Sequence, residues 1–218
     1  AKLHPREAAW IIEDSGATLT FADWGHADDL PSAVIEAGSP DWQALAANAP
    51  MAPVHLRGEA PVWLFYTSGT TGRPKGARPA PPEDDDSLAT TPMMGLAVMG
   101  AGMPADGSMV YLSPAPLYHA APIGWCTTAQ RLGGTVVVME KFDPEHALET
   151  IEKYKITDSQ WVPTHFVRML KLDPEVRTRY HLFIPQRALP AAAPCPVPGP
   201  YTHPTLPAPP THTIALVH

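Results

Sequence analysis

The chain has 218 residues, 44% of them apolar and 17% charged, with a net charge of −7. That apolar share is enough to bury a core, which excludes wholesale disorder, and the acidic balance argues against a nucleic-acid binder. The longest nearly uncharged apolar stretch, 92–104, is too short to span a bilayer, and the two cysteines, Cys126 and Cys195, neither build a disulfide scaffold nor have zinc-ligand spacing. The opening run Ala1-Lys2-Leu3-His4-Pro5 carries no start methionine and no apolar signal segment, so a reducing, cytoplasmic setting is expected.

The first predicted element is a helix over Pro5 to Ser15. Pro5 suits a first turn, Ala8, Ala9, Ile11 and Ile12 form an apolar stripe, and Gly16 suits the C-terminal stop. A short strand over Ala17 to Phe21 and a short helix over Asp41 to Ala47 follow. Val62-Trp63-Leu64-Phe65-Tyr66 reads as a buried strand. Ser87 to Gly102 is small and apolar and reads as a buried helix, with Met93, Met94, Met99 and Met103 as a soft cluster suited to a core or to an adaptable tunnel. Met109 to Leu112 is a predicted strand, Pro122 to Arg131 a helix, and Thr135 to Met139 a strand after Gly133-Gly134. Asp143 caps a helix that starts at Pro144 and buries Ala147, Leu148, Ile151 and Tyr154. A strand over Ile156 to Val162 comes next, then a helix over Phe166 to Lys171 capped by Thr164.

Strands separated by helices imply βαβ units, so the expected fold is α/β, with a mostly parallel sheet and flanking helices. Residues 1–180 hold 18 prolines and residues 181–218 the other 10, with Arg187 as the only Asp, Glu, Lys or Arg in that second stretch. Repeated prolines remove backbone donors and favour extended chain. The expected organisation is therefore a partial domain over 1–198, with its core in 1–180, and an unpacked tail over 199–218, read first as non-native, with a Pro-rich linker or a Pro-rich ligand for another domain as the alternatives.

One loop carries most of the chemistry. After the strand comes Thr67-Ser68-Gly69-Thr70-Thr71-Gly72-Arg73-Pro74-Lys75-Gly76. Glycines let successive N–H groups face one anion, hydroxyls add donors, and Lys75 adds a full charge on a mobile stem. Polyphosphate oxygens only accept hydrogen bonds, so this mixture suits a triphosphate. It is not a Walker loop, because Gly72 is not followed by Lys and the residues after Gly76 are too proline-rich to start a long helix. Composition alone leaves a plain glycine–threonine turn open.

The ordered string from Tyr66 to Gly76 resembles the phosphate-loop signature of the acyl-adenylate-forming, AMP-binding enzymes. That superfamily includes acyl-CoA synthetases, luciferases and peptide-synthetase adenylation domains. His4 to Ala17, Pro116-Leu117-Tyr118-His119, Trp161-Val162-Pro163-Thr164 and Ala191-Ala192-Ala193-Pro194-Cys195-Pro196 resemble further family segments in the family order. The resemblance implies an internal piece of the large N-terminal domain, and a family reaction that joins a carboxylic acid to ATP with Mg²⁺ and passes the acyl group to coenzyme A. It implies phosphate binding by Thr67, Ser68, Gly69, Thr70, Thr71, Gly72 and Lys75, and an adenine pocket lined by Ala192, Ala193 and Pro194. It places His119 beside the acyl carboxylate as the catalytic candidate, although a lone histidine after an aromatic equally fits a satisfied loop residue. Tyr118, Gly124 and Trp125 become candidates for the acyl tunnel, with core packing as the other reading of Trp125.

No residue is assigned to a metal. The acidic run 83–86 reads as a solvated loop, and the resemblance implies that the metal-linked carboxylate comes from elsewhere. The family's aromatic-Gly-x-Thr-Glu motif, its ribose-binding Asp and its C-terminal catalytic Lys have no match in these 218 residues, so the chain alone is expected to be inactive. Thr-Gly-Arg-Pro-Lys-Gly and Pro-Leu-Tyr-His-Ala-Ala-Pro look most like bacterial fatty-acyl-CoA synthetases, which implies a fatty acyl acid as substrate. Aryl-CoA ligases, peptide-synthetase adenylation domains and a non-catalytic nucleotide-binding remnant stand as alternatives.

Overall fold

A computed structural model describes residues 3–23, 27–47, 63–67, 74–77, 92–182 and 187–190. The proline-rich tail, the acidic run 83–86, loop residues 68–73 and the segment 191–194 lie outside the described residues. The chain divides into two compact units, Ala1–Leu88 and Ala89–His218.

In the first unit, helix α1 (Pro5–Ser15) ends where its sequence says it should. His4 Nδ1 accepts from the Arg6 amide, Glu7 closes back on the His4 amide, and Gly16 takes the left-handed conformation with φ 68°. Strand β1 (Leu19–Ala22) runs parallel to β2 (Ala33–Glu36), a strand that the sequence reading did not foresee, and α2 spans Pro40–Ala47. Ala8, Ile12 and Leu30 form this unit's small core, with Val34 packed against it. Strand β3 (Phe65–Thr67) pairs antiparallel with β4 (Lys75–Ala77). The expected buried strand is thus shorter than its apolar run, and Trp63 and Leu64 stand exposed. In this unit the ribbon pairs with no third strand among the described residues, and a two-stranded ribbon has little capacity to bury both faces.

In the second unit, helix α3 (Pro92–Gly95) runs into a π-helical stretch, Leu96–Gly100. The expected buried helix is corrected here. The wide π turn leaves Met99 90% exposed, while Met103 is buried and Met93 and Met94 pack partly against the core. A four-stranded sheet follows, in the order β6-β5-β7-β8, built from β5 (Val110–Ser113), β6 (Thr135–Val138), β7 (Asp158–Trp161) and β8 (Arg187–Pro190). All three pairings are parallel, as the βαβ pattern predicts.

Helices cover both faces of that sheet. On one face, Tyr111 and Met109 pack with Trp125, Cys126 and Ala129 of α4 (Ala120–Arg131). On the other, Leu112 and Trp161 pack with Ala147, Leu148 and Ile151 of α5 (Pro144–Tyr154) and with Phe166 and Met169 of α6 (Pro163–Leu170). Tyr154 is the correction to the α5 stripe, because it sits in the last turn with nearly half its surface exposed. Helix α6 also starts earlier than expected. Pro163 takes the first helical position, which leaves Val162 at the cap and Thr164 inside the first turn. A short α7 (Pro174–Arg179) completes the described helices.

Candidate functional site

The described ends of the glycine–threonine loop are held as a hairpin. Thr67 and Lys75 are direct partners in the β3–β4 register, so the seven residues 68–74 begin and end at one point. Thr67 and Lys75 are both exposed, which leaves the hydroxyl and the ammonium to solvent at the mouth of the loop. The next pair is close-packed around a glycine. Tyr66 lies opposite Gly76, and a Cβ on Gly76 would meet the Tyr66 ring at 3.1 Å. The ring is braced from α1, edge-on to Trp10 at 6.0 Å, with its hydroxyl donating to Asp14 at 2.6 Å. Ser68, Gly69, Thr70, Thr71 and Gly72 lie outside the described residues.

His119 occupies the N-cap of α4 with extended backbone (φ −88°, ψ 144°). Its imidazole makes no capping bond and is exposed, 4.4 Å from the equally exposed Tyr118 ring. The helix is held instead by backbone, with the His119 carbonyl accepting from Ile123. Of the tunnel candidates, Trp125 is buried in the core. Gly124 is the point where Met93 approaches α4, since a Cβ there would meet the Met93 methyl at 3.3 Å.

The sheet order explains why distant segments converge. The connection leaving β5 passes through α4 to β6 on one side, and the connection leaving β7 passes through α6 toward β8 on the other. The crevice beyond the carboxyl ends of β5 and β7 is therefore a topological switch point, where open parallel sheets bind ligands. Pro116 to His119 leave the end of β5, Trp161 to Thr164 the end of β7, and Ala191 to Pro194 continue the sequence from the end of β8. Two adjacent parallel strands, β5 and β7, thus deliver two of the sequence motifs to one end of the sheet. The helix N-termini of α4 and α6 open on the same edge and favour negative charge there.

His165 was not singled out from sequence. It is buried in the first turn of α6, its ring tilted against Phe142 at 4.2 Å, with Nδ1 accepting from the Val162 amide. Burial, and then the nearby Arg168, push its pKa down to about 4, so the ring is neutral at ordinary pH. Asp14 was also missed, since it lies 52 residues from Tyr66 and leaves no local signal. Among the described residues no three His, Cys, Asp or Glu side chains gather in a way that would hold a metal ion, and no helix is long and apolar enough to cross a membrane.

The family profile of AMP-binding enzymes matches residues 1–198. The chain belongs to the AMP-binding enzyme family. Among AMP-binding relatives, it is 31% identical to the feruloyl-CoA synthase of Amycolatopsis sp. over 71% of this chain and 30% of that protein. It is 33% identical to the medium/long-chain-fatty-acid–CoA ligase FadD8 of Mycobacterium tuberculosis over 60% of this chain and 21% of that protein. Its fold is similar to that of ATP-bound MatB from Rhodopseudomonas palustris, with a TM-score of 0.71 and 24% identity, over 89% of this chain and 39% of that one. The chain thus spans less than a third of the length of those two ligases. The parallel sheet and its covering helices match the N-terminal domain of AMP-binding enzymes.

Proposed function

We propose that this chain is the nucleotide-facing part of an ATP-dependent acid–thiol ligase, which converts a carboxylic acid to an acyl-adenylate and then to a coenzyme A thioester. The observation that carries the reading is the hairpin base, in which Thr67 pairs with Lys75 and closes a seven-residue loop rich in glycine and threonine. A loop fixed at one point presents its amides and hydroxyls to a single anion, which is what the β- and γ-phosphates of ATP require. Gly76 supports the fit, because a Cβ there would crowd the Tyr66 ring that props the base.

In this reading Thr67 to Lys75 hold the triphosphate, with Mg²⁺ shielding its charge when bound. Ala192, Ala193 and Pro194 line the adenine. His119, free of any capping role, donates to the acid carboxylate or to the α-phosphate as charge develops there. The adenylation chemistry needs a metal-linked carboxylate and a mobile lysine domain that find no match in these 218 residues. The isolated chain therefore binds nucleotide and does not turn over.

A fatty acyl acid is the first substrate reading. An aryl acid is the second, supported by the likeness to a feruloyl-CoA synthase. Equilibrium titration of the chain with ATP and Mg²⁺ tests the core of the proposal. Saturable binding, weakened about tenfold or more by Thr70→Ala with Lys75→Ala, is the expected result. Binding that ignores both substitutions would reduce the loop to a structural turn.

A further inference from the structure

Asp106-Gly107 is the one Asp-Gly pair in the sequence. With Ser108 it forms an exposed turn that leads into β5. In such a pair no Cβ shields the glycine nitrogen from the aspartate side chain. The Gly107 nitrogen can bond to Asp106 Cγ, and the carboxyl hydroxyl leaves with the amide proton as water. Water then opens the resulting five-membered imide. Opening at the former peptide carbonyl routes the backbone through the side chain, as an isoaspartate of unchanged mass. The hydroxyl leaves only from a protonated carboxyl, so an ionised Asp106 resists the attack.

Ser108 favours that resistant state. Its hydroxyl donates to Asp106 Oδ1 at 2.6 Å, and its amide donates to the same oxygen at 3.0 Å. These bonds, the hydroxyl's first, hold the Asp106 carboxyl below its ordinary value of 3.8. They also pin the side chain in one orientation. The other described aspartates that precede a serine are fixed by regular backbone instead. Asp14-Ser15 lies in α1, and Asp158-Ser159 lies in β7 with its carboxylate buried against Arg187.

The turn sits where a change in backbone length would be felt. Gly107 and Gly133 both take the left-handed conformation, with φ 81°. A Cβ on Gly107 would lie 3.4 Å from the Gly133 carbonyl oxygen, and one on Gly133 would lie 3.4 Å from Gly107 Cα. Two residues on, the fully buried Met109 accepts from the Thr135 amide at 2.8 Å, where β5 and β6 begin to pair. An isoaspartate adds one carbon to the backbone beside that contact. We propose that Asp106-Gly107 is a modification site for isoaspartate formation that Ser108 holds in check, and that its conversion loosens the junction of β5 and β6.

The test incubates full-length wild type, Ser108→Ala and Asp106→Glu at neutral pH and physiological temperature for several weeks. Synthetic peptides of residues 103–111, with Ser or Ala at position 108, serve as unfolded references. A protease that cuts before aspartate but not before isoaspartate reads conversion at each position. Wild type should convert at position 106 several times more slowly than the peptides. Ser108→Ala should convert several times faster than wild type, with no gain at Asp14 or Asp158, while the two peptides convert alike. Equal rates in wild type and Ser108→Ala, or a wild type as fast as its peptide, would overturn the proposal. Converted wild type, resolved by anion exchange, should melt below the unconverted chain. Asp106→Glu, which cannot close the five-membered ring, should keep its melting temperature throughout. Equal melting of the converted and unconverted chains would refute the link to the strand junction.

Discussion

The Tyr66 phenol donates a 2.6 Å hydrogen bond to the Asp14 carboxylate, which ties α1 to the strand that feeds the glycine–threonine loop. The bond to Asp14, followed by partial burial and by the carboxylate's charge, raises the phenol's pKa above its ordinary value of 10.0. A group whose folded pKa is raised favours the fold while protonated, so this support is present below about pH 10 and is lost as the pH climbs through the folded value. Asp14→Ala is expected to return the phenol toward its ordinary value. Ultraviolet titration of wild type and Asp14→Ala, each differenced against Tyr66→Phe, isolates this one tyrosine. An unmoved titration would show that the strut does not form in solution.

Gly134 turns the corner between α4 and β6 under backbone on two sides. A Cβ there would lie 3.0 Å from the Met109 Cβ and 3.1 Å from the carbonyl oxygens of both Ala129 and Met109. The Gly134 amide already donates to Ala129 O at 2.9 Å, so the corner has little room to move. Gly134→Ala should cost about 1–3 kcal/mol, the usual range for overpacking. Gly95→Ala is the control, since a Cβ there meets nothing within 4 Å and the backbone is right-handed helical. It should be neutral or stabilising by about 0.5–1 kcal/mol. Chemical denaturation of the two variants checks the contrast, and equal effects would refute it.

Local chemistry was legible in the sequence where one side chain or one φ value decides the outcome. The bounds of α1 follow from His4, Pro5 and Gly16, and the start of α5 from Asp143 and Pro144. Elements decided by partners far along the chain were not legible. Strands β2 and β8 are only four residues long, with no alternation to announce them, and each exists because a parallel neighbour completes its hydrogen bonds. The polar composition of β7 makes sense only beside Arg187. Thr164 looked like a cap by residue type, yet Pro163 fits the first helical position better and displaces the start. Of the candidate site, the motif strings were visible in the sequence, whereas the sheet order behind two of them and the bracing of Tyr66 by Asp14 and Trp10 depend on tertiary structure.

His165 should make the fold acid-sensitive. Its ring is buried against Phe142 and Trp161 and accepts the Val162 amide through Nδ1, a bond that protonation removes. The folded pKa of about 4 lies below the ordinary value of 6.5, so the unfolded chain binds the proton more readily between those values. Stability therefore falls as the pH drops from 6.5 toward 4 and is unaffected by this group above that window. His165→Gln can still accept from the backbone and does not titrate. Melting temperature measured from pH 7 to pH 4 should fall more steeply for wild type than for His165→Gln, and parallel slopes would count against a neutral buried ring.

Tyr111 presents the opposite case, a buried hydroxyl with no hydrogen-bond partner among the described residues. The side chain is wholly inaccessible, and the Gln160 backbone approaches its oxygen without bonding geometry. Burial, reinforced by the neighbouring Cys126 and Asp158, holds its pKa well above the ordinary value, so the group stays protonated and simply carries an unmet donor. An unmet buried polar group costs about 1–3 kcal/mol, whereas a satisfied tyrosine hydroxyl contributes about 1 kcal/mol. Tyr111→Phe removes the oxygen and keeps the ring that packs against Trp125 and Leu189. The substitution should therefore leave stability unchanged or raise it by about 1 kcal/mol. A loss of that size in denaturant unfolding would mean that the hydroxyl has found a partner in solution.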